Sequence, residues 1–208
     1  MTVDLNADGT APSPSTHLDL TQWLAGTALV FEDERATGMN TRSTVDTIIQ
    51  GAVVDLFHSL DIASAPLAPA SGQPLRELPD LAAFVHFNAS AGSGVLCLGC
   101  PISVVQLAEK AAYTALAKED WIRELMNQLM GRVKKRFLQF GVSLNASLPS
   151  PASKQFLDRH GASPHCKTYT FRTIRGSVIV VLDAQIEDRQ FAYCGAVQLR
   201  DEGDIILF

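Results

Sequence analysis

Asp120-Trp121-Ile122-Arg123-Glu124-Leu125-Met126-Asn127-Gln128-Leu129-Met130-Gly131-Arg132-Val133-Lys134-Lys135-Arg136-Phe137 contains no proline and repeats its apolar residues at helical spacing. At about 100° per residue, Asp120, Glu124, Asn127 and Gly131 fall within about 60° of one another. Ile122, Leu125, Met126, Leu129, Met130, Val133 and Phe137 fill the opposite side. The segment is therefore a helix with one buried face. Its exposed stripe carries a carboxylate, a carboxamide three residues later and a glycine four beyond that.

Working outward, Val45 to Leu60 forms an amphipathic helix anchored by Ile48, Val53, Leu56 and Phe57. Residues 63–78 carry Pro66, Pro69 and Pro74 and read as a loop. Two strands follow at 81–88 and 94–99, joined by Ala89-Ser-Ala-Gly-Ser. Pro101 opens a helix over 102–116, where its missing N–H costs little. Asp120 then stands as an N-cap candidate for the next helix. After Phe140 the period becomes two: Val142, Leu144, Ala146 and Leu148 alternate with Ser143, Asn145 and Ser147. Residues 167–173 and 177–182 form a hairpin around Ile174-Arg175-Gly176. Its second arm is apolar throughout, as a central strand buried on both faces would be. Residues 191–199 and 205–208 offer two more strands. This order predicts an α/β chain of the α+β kind, with a layer of helices on a mostly antiparallel sheet and no doubly wound parallel fold.

At 208 residues and 47% hydrophobic content, the chain suits one domain with a tail. Residues 1–18 have the composition of a disordered tail. A short apolar run at 25–31 is a further candidate strand. The expected division is an N-terminal extension at 1–44 and a domain at 45–208. No apolar run reaches membrane-spanning length and no secretory signal opens the chain, so a cytoplasmic protein is expected. The net charge of −5 argues against general nucleic-acid binding. Arg132, Lys134, Lys135 and Arg136 form the only basic concentration, and a solvated last helical turn accounts for it. Cys97-Leu-Gly-Cys100 lacks a second compact pair, so buried thiols are expected rather than a metal or redox site. His17, His58, His86, His160 and His165 offer no general base, the last two falling in a loop. Ala91-Gly-Ser-Gly lacks the Lys-Ser/Thr of a phosphate loop and is a turn.

Asp120-x3-Glu124-x2-Asn127 resembles the signature of the chemotaxis phosphatase family that includes CheX, CheC and FliY. That family's pattern adds a downstream proline; here Ser150 occupies its place, with Pro149 and Pro151 on either side. The similarity covers about residues 45–185, is closest to CheX, and includes one copy of the motif. It implies a CheX-like domain that hydrolyses the acyl phosphate on a response-regulator receiver domain. Asn127 would position the attacking water, and Glu124 would pair with the receiver's active-site lysine. Asp120, Gly131 and Lys134 are the candidate partner contacts. Mg²⁺ would come from the phosphorylated receiver, with no intrinsic cofactor, and a homodimer is plausible by the same resemblance. Three alternatives remain open in the sequence: a module of the same fold that docks on a receiver without hydrolysis, a purely structural role in a flagellar switch-like assembly, which the lack of a basic or apolar docking tail disfavours, and a Gly131 that merely lets a neighbouring helix pack closely.

Overall fold

The computed structural model describes residues 41–67, 79–108, 115–187 and 194. The expected tail, the candidate strand at 25–31, the C-terminal strands at 191–199 and 205–208 and most of the 1–44 extension lie outside the described residues. Four helices and seven strands are described: α1 (Thr41–His58), β1 (Ser64–Pro66), β2 (Leu81–Ala89), β3 (Gly92–Cys100), α2 (Ile102–Ala108), α3 (Ala115–Leu138), β4 (Leu144–Ala146), β5 (Ser150–Pro151), α4 (Lys154–Gly161), β6 (Cys166–Thr173) and β7 (Gly176–Ile186). The strands form one antiparallel sheet in the order β1-β6-β7-β3-β2-β4, with β5 also on β2. This is the expected α+β arrangement of helices on a mostly antiparallel sheet.

The sheet order exposes a duplication that no sequence repeat announces. Each half consists of a helix, a short edge strand and a hairpin: α1, β1, β2–β3, then α3, β4, β6–β7. Each half's edge strand pairs with the outer strand of the other half's hairpin, β1 with β6 and β4 with β2, while β3 and β7 meet at the centre. The two helices also end alike. After α1, Ile62 N donates to Phe57 O at 2.9 Å and Asp61 takes φ 57°. After α3, Val142 N donates to Phe137 O at 3.1 Å and Gly141 takes φ 70°. Both are left-handed residues closing a helix, with the next residue bonding back to its last turn.

α1 and α3 cover one face of the sheet. Ile48, Ile49, Val53, Leu56 and Phe57 from α1 meet Ile122, Met126, Leu129, Met130 and Val133 from α3 over Val85, Leu96, Leu98, Phe171 and Val180. All seven apolar positions assigned to the buried face of the motif helix are buried. An ion pair and a hydrogen bond also tie α3 to α1 and the turn after it: Arg136 Nη2 meets Asp55 Oδ2 at 2.5 Å, and Arg132 donates to Ser59 Oγ at 2.9 Å. Gly51 leaves room for the first of these, since a Cβ there would sit 2.8 Å from the Arg136 guanidinium and push that side chain aside.

The opposite face is covered by α4, in a stretch expected to be loop. Ser153 caps it by accepting from Phe156 N at 3.2 Å, and Leu157 packs on Ala82, Cys97 and Val181. His160 therefore lies on a helix, where its Nδ1 meets Asp183 Oδ2 at 2.7 Å. Cys97 and Cys100, three apart on a strand, project to opposite faces: Cys97 into this small cluster and Cys100 into the main core. Burial pushes both thiols up to about 12, helped at Cys100 by Asp80.

Three other boundaries differ from expectation. β1 occupies part of the anticipated 63–78 loop, because Ser64–Pro66 finds the edge of β6. The expected strand at 142–148 is pairing only at Leu144–Ala146, and Leu148 is 86% exposed. The motif helix, expected from Asp120, is already helical at 115–119, while residues 109–114 of the helix predicted over 102–116 lie outside the described residues.

Candidate functional site

α3 runs along β2 and β3 and past β4 and β5, holding the polar stripe on its outer side. Glu124, Asn127 and Gly131 are all exposed, as is Asp120. Because α3 starts at Ala115, Asp120 is not the N-cap; it lies inside the helix and pairs with Arg123 one turn on. Glu124 Oε1 accepts from Gln128 Nε2 at 3.0 Å, an i, i+4 clip that preorients its carboxylate. Among the described residues, no protein group engages the Asn127 carboxamide, which leaves both its donor and its acceptor available.

Among the described residues, Gly131 has no packing reason for its identity. A Cβ built there meets no described atom within 4 Å, so it does not serve close approach of a neighbouring helix. Gly51, at the matching distance from its helix end, does have a neighbour, since a Cβ there would lie 2.8 Å from the Arg136 guanidinium. Counted back from Phe57 and Phe137, the α1 equivalents of Glu124, Asn127 and Gly131 are Thr44, Thr47 and Gly51. Thr44 is buried and Thr47 turns its hydroxyl onto Ser43 O at 2.9 Å. The carboxylate and carboxamide thus stand on one helix of the duplicated pair.

The basic cluster divides. Arg132 and Arg136 are interhelical struts, not a solvated turn, whereas Lys135 is exposed and Lys134 half-buried. Gln128 was missed, although its spacing from Glu124 was readable. The Arg136–Asp55 pair was not, since only the fold brings those residues together. Ser150, in the place of the family's proline, lies in β5 with Pro151, paired with Phe84 and Ala83 at the sheet edge. β5 approaches α3, which brings Ser150 and Pro151 toward the motif helix.

No family model and no curated protein matches the chain. Solved structures do. The chemotaxis protein CheX from Desulfovibrio desulfuricans superposes with a TM-score of 0.54 at 15% identity, covering 68% of this chain and 99% of that one. The chain has the CheX fold. CheX from Vibrio vulnificus gives a TM-score of 0.56 at 12% identity, over 71% of this chain and 100% of that one. A CheC-like superfamily protein from a Shewanella species gives 0.53 at 13%, over 71% and 99%. The CheX-like unit thus takes up about two thirds of the chain. No helix among the described residues is long and apolar enough to cross a membrane.

Proposed function

We propose that the CheX-like domain, 45–208, hydrolyses the aspartyl phosphate of a response-regulator receiver domain, with Glu124 and Asn127 inserted beside the phosphoryl group. The observation that carries this is the Asn127 carboxamide, exposed and unengaged among the described residues, one turn from a preoriented Glu124 on a CheX-fold helix. Water attacks phosphorus in line as the bond to the aspartate oxygen breaks, yielding inorganic phosphate and a free carboxylate. Asn127 Oδ1 accepts a hydrogen bond from the water and its NH₂ donates to a neighbouring oxygen, fixing the attack line without adding charge. A carboxylate in that place would repel the phosphoryl oxygens. The receiver's own Mg²⁺ and lysine neutralise the developing charge. Glu124 pairs with that lysine and sets the register, with little net affinity because desolvation opposes the attraction.

Gly131 and Asp120 lie at either end of the contact, and Lys134 follows in the next turn. An open, side-chain-free Gly131 admits partner backbone close to α3. Asn127→Ala is expected to lower kcat by about a hundredfold or more while leaving affinity for the phosphorylated receiver within a few fold. Equal loss of binding and turnover would make Asn127 a docking residue, and unchanged turnover would remove it from the chemistry.

A further inference from the structure

The polar stripe of α3 carries opposite charges on its two flanks. At about 100° per residue, Arg123 lies about 40° to one side of Asn127 and Glu124 about 60° to the other. Each charged side chain is held by a neighbour on its own helix. Glu124 accepts from Gln128 Nε2 at 3.0 Å, and Arg123 Nη2 pairs with Asp120 Oδ1. The Asn127 carboxamide between them has no protein partner among the described residues. Helical side chains lean toward the N-terminus, so this carboxamide stands over the turn that holds Arg123 and Glu124, while the Arg123 guanidinium reaches back one turn further. Roughly 5 Å, one helical turn, separates the two.

With side chains 42% and 60% accessible, the Arg123–Asp120 pair contributes little to stability. It does hold a guanidinium in place. That group has five N–H donors in a fixed plane, and Asp120 is its one partner among the described residues, met through Nη2 alone. We infer that Arg123 is a specificity-determining residue of this site: held by Asp120, it donates its remaining N–H groups to the phosphoryl oxygens of the receiver's aspartyl phosphate, on the flank of Asn127 away from Glu124. This rests on the receiver-phosphatase reading above. Glu124 meets a lysine that the receiver carries with or without phosphate, and the neutral Asn127 meets the water. Neither distinguishes the phosphorylated receiver by charge. A permanently charged planar fork does, because phosphorylation adds acceptor oxygens and negative charge that it can bind bidentately.

The test uses the full chain and direct binding to a receiver with and without phosphate. Binding is measured in the Asn127→Ala background, where the phosphorylated form persists. Adding Arg123→Gln is expected to weaken binding of the phosphorylated receiver about tenfold or more and to leave the free receiver within about twofold. Arg123→Lys should recover only part of the loss, since it keeps the charge without the fork. With Asn127 intact, Arg123→Gln should lower kcat/KM by about tenfold or more, because the same oxygens carry the transition-state charge. Glutamine suits an exposed helical position, so the denaturation midpoint should not move. Equal weakening toward both forms makes Arg123 a general docking cation and overturns the assignment. Unchanged affinity and unchanged turnover reduce it to a surface ion pair, and overturn it while leaving the phosphatase intact. A parent chain that neither binds nor dephosphorylates any receiver overturns the functional reading, and the role of Arg123 falls with it.

Discussion

At the residue scale, Gly131 separates stability from function. It sits inside α3 with open space where a Cβ would be, so its helical cost is not offset by packing. Gly131→Ala is expected to stabilise the protein by about 1 kcal/mol, read from the denaturant midpoint. The same substitution should weaken receiver binding severalfold if partner backbone approaches that point. A variant that gains stability and keeps full affinity would leave Gly131 without a function. Gly51 makes the contrast. It stands at the matching place in α1, yet its missing side chain is occupied by the Arg136 guanidinium. Identical residues in corresponding positions thus serve packing in one helix and surface in the other.

At the element scale, α3 was legible and α4 was not. α3 announces itself through seven apolar residues at helical spacing, all of which are buried. α4 offers one fully buried residue, Leu157, with Phe156 stacked on Phe84 at 3.9 Å between ring centres. Its eight residues hold only two large apolar side chains, Phe156 and Leu157, too few to announce a helix, and its start is set by the Ser153 cap. Leu157→Ala should cost about 2–4 kcal/mol, because the small cluster it fills has no other large aliphatic from the helix. The denaturation midpoint measures this; a loss below about 0.5 kcal/mol would mean that α4 does not hold the outer face. The strand at 142–148 failed for the opposite reason. Its alternation is real, but the edge of β2 accepts β4 only over Leu144–Ala146. The two bonds of Ser147 to His86 then turn Leu148 outward.

At the scale of the whole molecule, the duplicated helix-edge-hairpin plan is invisible in the sequence because its two halves share geometry rather than residues. What they share is where a helix must stop and which strand its edge partner finds. The exposed stripe, by contrast, is readable from spacing alone, as is the i, i+4 relation of Gln128 to Glu124, whereas the struts to α1 depend on the fold. Global stability also carries a pH signature. Cys97 and Cys100 have folded values near 12 against an ordinary 9.0, so the unfolded chain loses these protons first. Their stabilising contribution is complete below pH 9.0 and falls as pH rises from there toward 12. Denaturation midpoints across that range should decline, and less so in Cys97→Ala than in the parent when the two are compared by slope. Native thiol labelling should reach the exposed Cys194 while sparing Cys97 and Cys100 until denaturant is added. Rapid native labelling of all four would contradict their placement in the core.

The central claim is catalysis, and turnover tests it most directly. A receiver domain phosphorylated with a small-molecule donor, then freed of donor, is followed for phosphate loss with this protein at far less than stoichiometric amount. The predicted result is release of many phosphates per molecule at a rate proportional to the protein added. Decay no faster than that of the receiver alone, despite measurable binding, would contradict it and leave a docking module on the CheX fold.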